Sequence, residues 1–181
     1  MMPSLIDLFI ENWERWGGDW EQWDNPTSAR LALLRYLRER NRSELLAWQA
    51  EELPIPGLPA ALDNVGVTLL HPHRRNLSPD LAMGLTAADA ALAASGSLVL
   101  APAPGRSWLP ALVPIHHVVL LPTSRIHQDF RAWRRDWRFT RPQDAARALI
   151  ISGPSFSDDI ELHKHYGMFG PRHIHLILFD E

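Results

Sequence analysis

The segment from residue 152 to 171 groups the residues most able to do chemistry. It reads SGPSFSDDIELHKHYGMFGP and follows the apolar run RALII. A Gly-Pro-Ser turn after a buried strand points backbone N–H groups outward, and such groups bind phosphate or carboxylate when a helix begins there. Open α/β sheets bind ligands beyond the carboxyl ends of their strands. We therefore expect an anion at this turn, with four ligand-binding residues: Gly153, Pro154, Ser155 and Gly170 of the following Gly-Pro turn.

Two carboxylates in this segment, Asp159 and Glu161, are candidates for acid–base catalysis. Ser157 resembles a helix N-cap, and acids in the first turn of a helix are also ordinary partners of the helix dipole. The sequence leaves both interpretations open, and it names no other catalytic residue.

A second glycine turn, Ser95-Gly96-Ser97, separates two apolar runs between residues 85 and 101. This pattern predicts a tight antiparallel turn in which glycine permits close backbone approach. Arg106 lies in the loop after the second run, where its guanidinium can bind a carboxylate or phosphate in two places or form a structural salt bridge. We include Ser95, Gly96, Ser97 and Arg106 among the ligand-binding candidates.

Histidine and arginine clusters suggest other kinds of site. His173 and His175 share one face of a predicted strand, but a metal site needs three or four converging ligands. We expect no metal, with both histidines at a surface-facing or interfacial strand edge.

In RAWRRDWRFTR, residues 131–141, helical spacing separates Trp133 and Trp137 from most arginines. A solvated cationic face, able to dock an acidic partner, is favoured over a nucleic-acid platform.

The composition of the chain restricts the classes of function that remain. The chain has 181 residues, a net charge of -3, 46% hydrophobic residues and no cysteine. The negative net charge does not indicate a protein that binds nucleic acid. Because the chain has no thiol, it cannot hold an iron–sulfur cluster through cysteine. No apolar stretch is long enough to span a membrane and the start is unlike a signal peptide, so we expect a cytoplasmic protein.

Apolar runs alternating with helical patterns predict an α/β fold. We expect one domain over residues 1–181, with a mixed, mainly parallel sheet of six or seven strands flanked by helices. Residues 116–122, 147–153 and 173–180 are predicted strands. Residues 1–41 hold four tryptophans and are predicted to form a helical N-terminal extension.

The motifs resemble those of the lactate-utilization (LUD) domain family. GPSFSDDIEL, Gly167 and GPRHIHLILFDE resemble the closing signature of that family, and residues 84–121 resemble its other block. The family usually has a basic residue and threonine after Gly-Pro-Ser, whereas this chain has Phe156 and Ser157. It usually has an acid before its Thr-Gly-Thr turn, whereas this chain has Ala94.

This resemblance implies a function in L-lactate oxidation to pyruvate. It implies a fold similar to the sugar-phosphate isomerases and coenzyme A transferases. It also implies two partner proteins, at least one with iron–sulfur clusters, and no cofactor in this chain. Because Ala94 removes a carboxylate, we expect an accessory component that binds a small anionic metabolite. The alternative is a stand-alone enzyme acting on a coenzyme A thioester or phosphorylated metabolite.

Overall fold

A computed structural model describes residues 3–72, 82–101, 103–137, 147–158 and 164–181 of the chain. The helices are α1 (Leu5–Arg15), α2 (Pro26–Glu39), α3 (Leu58–Asn64), α4 (Leu109–Leu112) and α5 (Phe130–Asp136). The strands are β1 (Asp19–Trp23), β2 (Glu44–Ala47), β3 (Thr68–Leu70), β4 (Met83–Ala87), β5 (Ala90–Leu92), β6 (Ser97–Leu100), β7 (His116–Pro122), β8 (Ile126–His127), β9 (Leu149–Ile151), β10 (Phe156–Asp158), β11 (Lys164–Tyr166) and β12 (His173–Phe179).

The main sheet has six parallel strands in the order β1-β12-β7-β4-β2-β3. Nearly every residue of β7 and β12 is buried, as continuous apolar runs in a parallel sheet require. The α/β fold with a mainly parallel sheet flanked by helices is therefore confirmed. Among the described helices, none is both long and apolar enough to cross a membrane.

A second sheet of four strands has the order β8-β5-β6-β9. Its β5 and β6 are antiparallel around the predicted turn at Gly96, whose φ is +62°. The predicted strand at 147–153 belongs to this sheet as β9, and β10 and β11 form a two-stranded sheet, so the described strands divide among three sheets where the sequence suggested one. A small buried cluster lies on the four-stranded sheet, formed by Ala90, Leu92, Val99 and Trp133.

The first forty residues join the main body through α1, β1 and α2. A capping box between Ser4 and Asp7 begins α1, and Asn25 caps α2 with Pro26 in its first turn. The strand β1 was not predicted from the sequence. It pairs with β12 in parallel, so the N-terminal segment supplies an edge strand of the main sheet.

The predicted helix beginning at Ser157 is wrong over its described residues. Residues Phe156–Asp158 form β10, which pairs antiparallel with β11. Phe156 lies opposite Tyr166 in this hairpin, and their ring centroids are 6.2 Å apart. Aromatic cross-strand pairing of this kind favours strand over helix, although the capping pattern indicated a helix.

Candidate functional site

A cavity of about 340 Å³ lies at the carboxyl edge of the main sheet, and we call it the carboxyl-edge cavity. Asp89 follows β4, Ser124 and Arg125 follow β7, and α5 covers the cavity with tryptophan. Its location matches the place where open α/β sheets bind ligands. The lining residues are Asp89, Arg106, Ser124, Arg125, His127, Trp133 and Trp137.

Asp89 is the buried acid of this cavity, with 2% of its side chain exposed. One carboxylate oxygen accepts the Ala101 N–H at 2.7 Å, and the other pairs with the Arg106 guanidinium. Burial raises the pKa of Asp89, and the neighbouring Arg106 charge opposes that rise. A buried carboxyl group with a raised pKa in a cleft is a candidate functional residue.

Arg106 forms the salt bridge that the sequence offered as one of two alternatives. Its Nε donates to Glu52 and its Nη1 to Asp89, and the guanidinium lies 5.1 Å from the Trp48 ring centroid. These contacts hold Arg106 in place. Its role at an anionic ligand stays a prediction.

Arg125 supplies the second positive charge of the cavity. Its Nη1 donates to the Ala88 carbonyl at 3.1 Å, which fixes the guanidinium beside Asp89. The lining thus carries two guanidinium groups and one aspartate. A guanidinium with donors left over can bind a carboxylate through two parallel hydrogen bonds.

Three residues of this lining were not predicted from the sequence: Asp89, Arg125 and His127. One signal was available for Asp89, because it is the one charged residue between Ala82 and Gly105. It also follows a buried strand directly, where ligand-binding residues of α/β sheets occur.

The two predicted glycine turns come together under the N-terminal helix. The Ser97 hydroxyl lies 2.8 Å from the Ser95 hydroxyl and 2.7 Å from the Ser152 hydroxyl. A Cβ built on Gly96 would lie 2.5 Å from the backbone carbonyl carbon of Asn12. Helix α1 therefore packs directly on the Ser95-Gly96-Ser97 turn, and only glycine allows that approach.

Trp16 fixes the same helix to the Gly-Pro-Ser turn. A Cβ on Gly153 would lie 2.6 Å from the Trp16 Cβ, and the φ of Gly153 is +86°. The Trp16 indole N–H donates to the Ser95 carbonyl at 2.9 Å. One side chain thus contacts both turns, so α1 covers the positions predicted to bind an anion.

The Ser155 groups expected to bind an anion have partners within their own loop. The Ser155 N–H donates to the Pro171 carbonyl at 2.9 Å, and the hydroxyl accepts the Phe169 N–H at 3.1 Å. Gly170 packs against Ser155, since a Cβ there would lie 3.4 Å from the Ser155 Cβ. These contacts tie the Gly-Pro-Ser turn, which includes Pro154, to the Gly-Pro turn at residues 170 and 171.

The candidate catalytic pair, Asp159 and Glu161, lies outside the described residues. The expectation that His175 lies at a surface-facing or interfacial strand edge is wrong. Because β1 pairs beyond β12, His175 is buried, with its ring nitrogens 3.1 Å from carboxylate oxygens of Asp19 and Glu21. Its ring stacks on Tyr36. Among the described residues, no group of three or more His, Asp or Glu side chains is placed to hold a metal ion.

Comparison with known proteins settles the family. The LUD domain matches residues 7–179. The chain belongs to the LUD domain family. The resemblance found in its motifs is thereby confirmed over nearly the whole chain.

Individual relatives agree with this assignment. This LUD domain is 33% identical over 111 residues to Lactate utilization protein C of Exiguobacterium sp., an alignment that covers 59% of this chain and 48% of that protein. It is 23% identical to the Uncharacterized protein NMB1437 of Neisseria meningitidis, covering 94% of this chain and 82% of that protein.

A solved structure shows the same fold. The crystal structure of a DUF162 family protein from Deinococcus radiodurans superposes with a TM-score of 0.67 at 16% identity. The match covers 97% of this LUD domain and 96% of that chain.

Proposed function

We propose that this LUD domain takes part in lactate utilization as an accessory component of a cytoplasmic iron–sulfur system that oxidises L-lactate to pyruvate. In this proposal it binds a small anionic metabolite in the carboxyl-edge cavity. The family and the relative named Lactate utilization protein C support the role. The observation that carries the binding site is the pair Arg106 and Arg125 around buried Asp89 at the carboxyl ends of β4 and β7.

The cavity suits a small carboxylate that carries a hydroxyl or carbonyl group. Arg125 uses Nη1 for the Ala88 carbonyl and has other donors for a ligand carboxylate. Asp89, held by Arg106 and the Ala101 N–H, is placed to accept a hydrogen bond from a hydroxyl of the same ligand, whereas a carbonyl oxygen there needs a guanidinium donor. Trp133 gives the cavity an apolar wall for a methyl group. The volume of about 340 Å³ is within the usual range for small-molecule sites.

The redox centres of this proposed system belong to partner proteins. The chain has no cysteine, and iron–sulfur clusters are held mainly by cysteine thiolates. A docking face for such a partner is available on α5, where Arg131, Arg134 and Arg135 are exposed beside Phe130, itself 47% exposed. Arginine and aromatic residues are enriched at protein interfaces.

Calorimetric titration of the purified chain with L-lactate and with pyruvate tests the metabolite site. We expect saturable binding of at least one of them, weakened roughly tenfold by Arg125→Ala because a charge-assisted hydrogen bond is lost. Arg38→Ala removes an exposed arginine of α2 and serves as the matched control. Equal affinities in both variants would show that the ligand binds elsewhere.

Co-purification from the native host grown on L-lactate tests the accessory role. A tagged chain should recover iron-containing proteins at gentle salt, and charge reversal at Arg131 and Arg135 should reduce that recovery. Recovery of the chain alone would contradict the proposed assembly while leaving the metabolite titration as an independent result.

One observation favours the alternative, a stand-alone enzyme acting on a coenzyme A thioester or phosphorylated metabolite. Asp89 is a buried carboxyl group of raised pKa inside a cavity, the arrangement used for general acid–base catalysis. Under this alternative the purified chain turns over such a metabolite, and Asp89→Asn abolishes turnover without unfolding the chain. Turnover unchanged in Asp89→Asn would remove Asp89 from any catalytic role.

A further inference from the structure

A second and larger cavity, of about 600 Å³, lies between the end of α1 and the β10–β11 hairpin. We call it the hairpin cleft. It is separate from the carboxyl-edge cavity, because it borders His173 at the first residue of β12. Six residues of its lining carry the inference, three aromatic and three basic: Trp16, Phe156, Tyr166, Arg15, Arg172 and His173.

The aromatic residues of the hairpin cleft present open ring surface. Trp16 is 46% exposed, Phe156 43% and Tyr166 50%. The Trp16 indole is held by its N–H bond to the Ser95 carbonyl, and Phe156 and Tyr166 are cross-strand neighbours. Rings that are anchored yet exposed form a platform on which a flat heterocycle can stack.

One basic residue of the hairpin cleft has no acidic partner among the described residues. Arg172 is exposed and forms no ion pair with any described residue. Arg15 pairs with Glu11, and the acid in the lining, Glu14, accepts the Trp20 indole N–H at 2.8 Å. Glu14 keeps its negative charge, so the described lining carries two arginines and one glutamate, and Arg172 is the donor available to an anion.

Two further arginines, Arg40 and Arg42, lie near the histidines at the amino edge of the sheet. The His173 ring stacks on His116 with centroids 4.6 Å apart. Burial, together with the nearby His173, Arg40 and Arg42, lowers the pKa of His116 to about 4. With His116 neutral, the positive charge at this edge comes from Arg172, Arg40 and Arg42, and it favours a ligand that carries more than one negative charge.

We propose that the hairpin cleft binds a nucleoside phosphate, with the base stacked on Trp16 and Tyr166 and the phosphates at Arg172 and His173. A simple carboxylate would leave the three rings exposed. A planar base with attached phosphates would contact the aromatic residues with its base and the basic residues with its phosphates. The volume suits a ligand of this size. This site is independent of the metabolite site proposed above.

Calorimetric titration of the full chain with ADP, adenosine and pyrophosphate tests this proposal. ADP should bind, and adenosine and pyrophosphate should each bind at least tenfold more weakly, because each engages half of the site. Arg172→Ala should weaken ADP binding roughly tenfold through loss of a charged donor. Tyr166→Ala should weaken it roughly fivefold or more through loss of stacking. The matched controls, Arg38→Ala and Phe169→Ala, change exposed residues outside the cleft lining and should leave it unchanged.

Three results would overturn the proposal. These are no binding of ADP at millimolar concentration, ADP affinity that is equal in Arg172→Ala and Arg38→Ala, and pyrophosphate binding as tight as that of ADP. If a single-stranded oligoadenylate bound more tightly than ADP, the proposal of a free nucleotide would be overturned, and the ligand would be a nucleic acid. Unchanged melting temperatures of the variants would exclude unfolding as the cause of any loss.

Discussion

Asp89 and Arg106 form a buried ion pair that ties the end of β4 to the loop after β6. Seventeen positions separate them along the chain. The pair does two things at once: it satisfies a carboxylate that burial would otherwise destabilise, and it fixes the acid of the carboxyl-edge cavity in one orientation. Structure and proposed ligand binding therefore depend on the same contact.

Asp89→Ala should lower the free energy of unfolding by about 2 kcal/mol, since it leaves the buried Ala101 N–H without an acceptor and leaves Arg106 with Glu52 as its one carboxylate partner among the described residues. Asp89→Asn keeps an acceptor for the Ala101 N–H and should cost less. Urea denaturation measures both. A loss below about 0.5 kcal/mol for Asp89→Ala would mean that the ion pair adds little to stability.

Gly96→Ala tests the packing of α1 on the glycine turns. Gly96 and Gly17 both have positive φ, but a Cβ at Gly96 meets the backbone of Asn12 and Trp13, whereas a Cβ at Gly17 meets nothing within 4 Å. Gly17→Ala should cost about 1 kcal/mol from backbone conformation alone. Gly96→Ala should cost about 2 kcal/mol more because α1 must shift. Equal losses in chemical denaturation would show that α1 is not held against this turn.

Buried histidines should make the protein sensitive to acid. Burial lowers the pKa of His117 to about 3, and the pKa of His116 is lowered to about 4, whereas both titrate near 6.5 when unfolded. The unfolded chain then binds more protons, so stability is complete above pH 6.5 and falls as the pH drops toward these values. Each histidine adds a slope of about 1.4 kcal/mol per pH unit.

His117→Gln should flatten this slope relative to that of the unmodified chain. The free energy of unfolding measured by urea denaturation between pH 4 and pH 7 gives both slopes. A slope that is the same in His117→Gln and the unmodified chain would show that His117 is not held neutral by the fold.

The pattern of neighbouring residues along the chain was enough to predict the strands at the centre of the main sheet. The unbroken apolar residues of β7 and β12 identify buried strands, and Ser95-Gly96-Ser97 identifies the antiparallel turn, because each signal lies within a few neighbouring residues. The family motifs are equally local. These features needed no knowledge of distant contacts.

Contacts between distant parts of the chain explain what the sequence did not predict. The two acids of β1, Asp19 and Glu21, contact His175, which lies about one hundred and fifty positions later in the chain. Asp89 needs Arg106 and Glu52 to become the acid of a cavity. Ser157 carries a capping pattern, yet pairing with His165 makes its segment a strand. In each case tertiary pairing outweighs local preference.

The most direct test of the central claim is a crystal structure of the chain grown with L-lactate or pyruvate. We predict electron density for the ligand in the carboxyl-edge cavity, with its carboxylate on Arg125 and a second oxygen facing Asp89. Density for the ligand at the Ser95-Gly96-Ser97 or Gly153-Pro154-Ser155 turn, with only water between Asp89 and Arg125, would contradict the account.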